Sequence, residues 1–301
     1  MGTIYKKDKN IFNIKILGIL FMLPALLIII ITMIIPFIWN IILSFTSWDG
    51  NSSLILVGFG NFIKIFQDRV TLLGFNNSIF IAIVTTLIAV ISGLILALLI
   101  YKTGKTEGAV FRFVFFTPSM TPLTVIGLLF VFILAPDIGL LNNFLNLIGL
   151  NTLIHAWLAE PDTVLWSISV IGGWRYAGIV MMLCYTSICT IPSSMFEAGR
   201  IDGAGYFKQI QMIILPIIKP IIELSTMFML MWSFKTYDII WAMTKGGPGD
   251  ISRTVPVRML DVGFQYNQFG YASAIGVMLT VIVIVSILAI KRIIRGTIYE
   301  Y

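Results

Sequence analysis

Residues Ser193 to Pro216 read SSMFEAGRIDGAGYFKQIQMIILP, a polar stretch set between two long apolar ones. Pro192, just ahead of it, ends the preceding helix or sets the following turn. Ser194 followed three residues later by Glu197 is a capping-box pattern and predicts the start of a new short helix. Met195, Phe196 and Ile201 supply the apolar contacts of that helix, and Asp202-Gly203 supplies the turn that ends it. A second short helix, Ala204 to Met212, is expected before the chain turns apolar again at Ile213. Two short helices at an angle, carrying Glu197 and an exposed knob of Met195 and Phe196, would make a rigid protrusion suited to a partner's groove. The plainer alternative is an amphipathic connector lying on a membrane surface.

Composition settles what lies on either side. Of 301 residues, 58% are hydrophobic and 11% charged, with a mean hydropathy of +0.98. A soluble domain of this length carries far more charge, so an integral membrane protein is implied. The formal net charge of +6 would suit nucleic acid, but most basic residues flank apolar segments and read as orientation signals. The expected partner is therefore the lipid bilayer and not nucleic acid. Cys184 and Cys189 both sit inside an apolar stretch at a spacing that suits neither an intrahelical disulfide nor a metal pair. The basic N-terminus, MGTIYKKDKNIFNIK, precedes a segment too long for a signal-peptide core, so an uncleaved first span is expected.

A helix crossing the bilayer needs about 20 apolar residues. Six stretches qualify: Ile16 to Ser44, Ser78 to Ile100, Val110 to Ala135, Val164 to Ile191, Ile213 to Trp241 and Tyr271 to Ile290. This predicts an all-α polytopic fold with both termini on one side. Lys6, Lys7, Lys9 and Lys15 before the first span, and Lys291, Arg292 and Arg295 after the last, place that side in the cytosol. The expected division is a cytosolic segment 1–15, a six-span domain 16–290 interrupted by the cytosolic loop 193–216, and a cytosolic tail 291–301. Residues 136–163 contain no Lys or Arg and suit the outside, whereas Lys245, Arg253 and Arg258 fall in a loop that the count also puts outside, against the rule. Pro118 and Pro122 predict a kink in the third span. The segment GLLNNFLNLIGL from Gly139 reads as a short surface helix, and the lone His155 as a surface residue.

Charges within the spans are costly and must face protein, water or a partner. Trp174-Arg175 lies in the outer half of span four, and Glu223 near the start of span five. Lys235 and Asp238, three residues apart toward the outer end of span five, would share a helical face and pair. Two readings stay open: a self-neutralising pair, or a polar cavity lined by Trp174, Arg175, Trp232, Lys235, Tyr237 and Asp238, whose aromatic faces and charges suit a hydroxylated solute. No nucleophile, base or metal-ligand cluster is arranged for catalysis, so no catalytic or metal site is expected. Gly104-Lys105-Thr106 echoes the end of a phosphate loop, but Leu99 stands where the first glycine is required.

The order of Glu197-Ala198, Gly203 and Ile213-x-Leu215-Pro216 resembles the cytoplasmic loop by which membrane subunits of binding-protein-dependent ABC importers dock onto their ATPases. WRYAG from Trp174, SFKTYDII from Ser233, TKGGPG from Thr244 and FGYASA from Phe269 narrow the resemblance to the carbohydrate branch, of the maltose and glycerol-3-phosphate type. The resemblance spans Ile16 to Arg292 and implies a type I importer permease in a bacterial cytoplasmic membrane. It also implies a second related permease subunit, a cytosolic ATPase dimer that binds ATP and Mg, and an extracytoplasmic solute-binding protein, with no cofactor in this chain. The ATPase-coupling residues it implies are Met195, Phe196, Glu197, Ala198, Gly199, Asp202, Gly203, Ala204, Leu215 and Pro216. Gly199 stands where the family has Ala, and Phe207 and Ile210 where it often has Trp and Phe. Phosphate, amino-acid or peptide permeases share the docking loop. An ion-coupled secondary transporter is the competing class outside the family.

Overall fold

The structure, a computed structural model, describes residues 9–294, with side chains from 17 to 293. Lys6, Lys7 and Arg295, counted among the basic flanks, lie outside it, as do the side chains of Lys9 and Lys15. The chain is helical almost throughout. Helices α1 (Lys9–Ile29) and α2 (Ile35–Ser44) join through a π turn, and Leu17–Ser44 forms the first apolar span. Its side chains are exposed from Leu17 to Trp39, and only the α2 end meets the bundle. A two-stranded ribbon, β1 (Thr46–Ser47) antiparallel to β2 (Ile55–Leu56), leads to α3 (Gly60–Gln67) and α4 (Arg69–Tyr101).

Helices α5 (Lys105–Met120) and α6 (Leu123–Ile133) follow, bent by 97° where they meet. The short α7 (Leu140–Leu147) precedes α8 (Pro161–Cys189) and α9 (Ser193–Ile201). Helix α10 (Tyr206–Gln209) runs through a π turn into α11 (Leu215–Phe234). The last elements are α12 (Asp238–Met243), α13 (Val255–Leu260) and α14 (Phe269–Ile294). Five helices are long and apolar enough to cross a membrane, and α5 with α6 makes a sixth if the bent pair is one span. The kink expected from Pro118 and Pro122 is thus a full break at Thr121-Pro122.

The packing centre is the α4–α8 pair, brought together by glycines. A Cβ on Gly93 would lie 2.6 Å from Val180 Cβ, and one on Gly173 would lie 2.6 Å from Ile88 Cβ. Small residues let helix backbones approach where no water is available to drive association. Around this seam Val180, Met181, Cys184, Ile188, Ile214 and Ile218 are buried, the last two bringing α11 onto the pair.

Two spans depart most from the expected limits. The second begins at Arg69, not Ser78, because Asp68 caps α4, its Oδ1 accepting the N–H groups of Val70 at 3.0 Å and Thr71 at 3.2 Å. The polar residues that read as loop are helical because the α12–α13 connection packs on them: Asn77 Nδ2 donates to Ile251 O and Arg253 O, and Ser78 Oγ accepts from Val255 N–H. The fifth span stops at Phe234 instead of Trp241, since Lys235 and Thr236 leave the helix.

At the end of the bundle opposite α9, Asp68 gathers three elements. Its Oδ2 accepts from Arg258 Nη2 at 2.8 Å, from the Thr71 hydroxyl at 2.7 Å and from the Tyr271 hydroxyl at 3.0 Å. Burial pushes this carboxyl up, but the bonds from Arg258, Thr71 and Tyr271 outweigh it and hold the carboxyl well below its usual range. Arg253 pairs with Asp250 at 2.6 Å and with Asp261. Two of the three basic residues that broke the charge rule are therefore neutralised where they stand.

Candidate functional site

Two sites come from the fold, one at the C-terminal end of α8 and one midway along it. At its C-terminal end, Thr190 to Pro192 turn the chain into α9. Pro192 is the cap residue and no side chain caps the helix, so the Ser194 capping box does not form. The helix stops at Asp202-Gly203 as expected: Ala204 N–H donates to Gly199 O at 2.8 Å and Gly203 N–H to Arg200 O at 3.0 Å, with Gly203 at φ +74°. This paired closure is a Schellman motif, which needs the left-handed residue that glycine supplies. The second helix does not stand alone as Ala204–Met212. It starts at Tyr206 and continues into the membrane span, so Leu215 and Pro216 lie within one helix that begins outside it.

The expected exposed knob of Met195 and Phe196 does not form. Phe196 is buried, its ring 6.0 Å from that of Tyr101, and anchors α9 to the bundle with Ile191 and Ile214. Met195 is half-buried, while Glu197 and Ala198 face outward. The large exposed apolar side chains are Ile201, Phe207 and Met212 instead. Beside them Met195, Ala198, Gly199, Asp202, Ala204 and Met212 line a groove of about 400 Å³. Tyr206 fixes the second arm, its hydroxyl donating to Leu98 O at 2.7 Å. Gly199 faces Ile213, whose Cδ1 would lie 3.2 Å from a Cβ placed there.

The second site lies midway along α8, where two helices are interrupted. Leu123, Arg175, Tyr176, Ile179, Trp232, Lys235, Thr236 and Asp238 line an open cavity of about 320 Å³. Leu123 stands at the α5–α6 break, and Lys235 to Asp238 at the α11–α12 break. Irregular backbone at membrane depth is tolerated where it is buried in protein or lines a cavity. Trp232 stacks on Phe228 at 6.0 Å and lies 5.8 Å from the Tyr176 ring, so the wall presents aromatic faces beside charged groups. Lys235 is the C-cap residue of α11, its backbone N–H bonded to Trp232 O at 3.1 Å.

Residues 89–298 match the family described as the binding-protein-dependent transport system inner membrane component. The chain belongs to that family. A probable ABC transporter permease protein of Bacillus subtilis, YurN, is 34% identical over 270 residues, covering 89% of this chain and 92% of its own length. The diacetylchitobiose uptake system permease protein NgcF of Streptomyces coelicolor is 30% identical over 289 residues, covering 92% and 80%. The fold matches a crystal structure of a bacterial ABC transporter involved in alginate import with a TM-score of 0.81, at 21% identity, over 96% of this chain and 99% of that one. The protein is thus an all-α, membrane-embedded ABC importer permease subunit and not itself an enzyme.

Within the permease, the cavity unites Arg175, Trp232, Lys235 and Asp238 but leaves out two residues expected to share it. Trp174 turns away, edge-on to Phe130 at 5.8 Å, and Tyr237 stacks on Trp241 at 5.6 Å. Lys235 and Asp238 do not pair, because the chain leaves the helix between them and their three-residue spacing no longer defines a common face. Leu123, Tyr176, Ile179 and Thr236 were missed; Tyr176 follows Arg175 directly, but its approach to Trp232 of α11 has no local signal. His155 is half-exposed and bonds Glu160 at 2.8 Å. Among the described residues no cluster of three His, Cys, Asp or Glu side chains is placed to hold a metal.

Proposed function

We propose that the permease moves a sugar or a related polyol or sugar phosphate inward through the cavity at the two helix breaks, driven by an ATPase dimer that grips α9. The observation carrying this reading is that one continuous helix, α8, has the cavity on its flank and α9 following its end. Support for a carbohydrate comes from the pairing of aromatic faces at Trp232 and Tyr176 with charged hydrogen-bonding groups, and from the diacetylchitobiose uptake named for the Streptomyces relative. Glu197, exposed on α9, serves as an acceptor for donors on the ATPase and carries no acid-base role. ATP and Mg belong to that ATPase, and an extracytoplasmic binding protein delivers the solute to a path shared with a second permease subunit. In this arrangement both termini and α9 face the cytosol of a bacterial cell.

The alternating-access step follows from linkage. ATP closes the ATPase dimer, α9 moves with it, and the cavity turns outward. The test is purification in mild detergent from native membranes, followed by uptake in vesicles with ATP depleted and the ion gradient held. Recovery of a second permease and an ATPase, with oligosaccharide uptake that stops without ATP, is expected. Glu197→Lys should insert normally and lose uptake while the ATPase still turns over. Normal uptake by that variant would sink the docking assignment, and uptake that follows the ion gradient would return the chain to secondary transport.

A further inference from the structure

Helix α5 ends at Met120, and α6 leaves at 97° to it from Leu123. Had α5 continued, the carbonyls of Ser119 and Thr121 would accept from the amides four residues on. The break removes both donors at a depth where an unmet carbonyl is costly. Arg175, from a different helix, replaces them. Its Nη2 donates to Ser119 O at 3.1 Å and to Thr121 O at 3.2 Å, and its Nε donates to Thr121 O at 3.2 Å. The bond is returned: the Ser119 hydroxyl donates to Arg175 O at 2.6 Å. The guanidinium also meets the negative end of the α5 dipole.

Nearby, Gly178 lets the backbones touch, since a Cβ there would lie 2.4 Å from Phe115 O. Arg175 has therefore committed Nε and Nη2 to the neighbouring main chain, even though it borders the cavity. From Arg175, α8 runs on without interruption to Cys189, about 21 Å at 1.5 Å per residue. Within that length Gly93 of α4 lies against Ala177 and Val180, and Cys184 and Ile188 are buried in the same core.

We infer that Arg175 is a positioning residue that fastens the α5–α6 break to α8, so that a displacement of α9 is delivered to the cavity wall; it is not a solute ligand. This rests on the coupling role proposed for α9. A guanidinium can serve two carbonyls in one plane, whereas an ammonium offers a single point of charge and cannot span both with the same geometry.

The experiment uses the whole transporter, with its ATPase and binding protein, in proteoliposomes. Wild type must first show ATP-dependent uptake, and Glu197→Lys must abolish it; failure there removes the coupling reading itself. Arg175→Lys should then lower solute moved per ATP about tenfold, the equivalent of one charge-assisted hydrogen bond. Its KM for loaded binding protein should stay within about twofold. Ser119→Ala, which removes only the returned bond, should lower the same ratio about threefold. A KM raised about tenfold in Arg175→Lys with an unchanged solute-to-ATP ratio would make Arg175 a ligand and overturn the inference. If Arg175→Lys fails to assemble, Ser119→Ala decides alone, and an unchanged ratio in that variant overturns it as well.

Discussion

Asp68→Asn exposes how much of the fold is held at the end opposite α9. The substitution keeps one oxygen for capping α4, but puts an amide where the other oxygen meets Arg258, Thr71 and Tyr271. Arg258 then faces no counter-charge while its side chain is only 13% exposed. Breaking a buried pair from one side costs about 3–5 kcal/mol; the partial exposure of both partners lowers this to about 2–3 kcal/mol. At about 2–4 °C per kcal/mol, unfolding in mild detergent should shift down by about 4–12 °C. Arg258→Met added to Asp68→Asn should recover about half of the loss, because it removes the stranded charge.

Acid offers a second view of the same group. The Asp68 carboxyl is held below its unfolded value, so its contribution is complete above about pH 4 and fades as pH falls toward the folded value. Wild type should therefore lose melting temperature faster than Asp68→Asn on acidification. A single variant that melts within about 2 °C of wild type, with the same acid profile, would refute the account of the cluster.

Three further substitutions separate anchoring from docking. Phe196→Ala should loosen α9 by about 3–5 kcal/mol and lose the co-purifying ATPase even with Glu197 in place, read by the ATPase-to-permease ratio after gel filtration. Gly199→Ala should leave that ratio intact and raise local stability by up to about 1 kcal/mol, since only the tip of Ile213 must move; a lower melting temperature would show that the tip cannot. Gly93→Ala should cost about 1–3 kcal/mol, because Val180 Cβ and the Ala177 carbonyl stand 2.6 and 2.7 Å from the new atom, and should shrink the monodisperse fraction in fluorescence-detected gel filtration.

The end of α9 was legible because its signals are local. Asp202-Gly203 needs only its own backbone to close α9, and Gly203 does so at φ +74°. Phe196 was misread because its burial is decided by Tyr101, far away in the chain. The apolar spans were legible from length alone, but the start of α4 was not, since Asn77 and Ser78 read as loop until the residues that bond them arrive from 251 to 255. Pro118 and Pro122 announced a bend without saying that it reaches 97°. The carbonyls left at that bend are met by Arg175 from another helix. The spacing of Lys235 and Asp238 assumed a helix that ends just before them.

The position of the cavity at helix interruptions carries a consequence for how such a protein can change. On the wall of the cavity proposed to pass solute, Lys235 and Thr236 sit in a short non-helical gap, while the glycine contacts that join α4 to α8 lie elsewhere. A substitution in a gap alters the wall without disturbing the glycine seam. Preference for one cargo over another can thus drift by single steps, each tolerated by an unaltered frame.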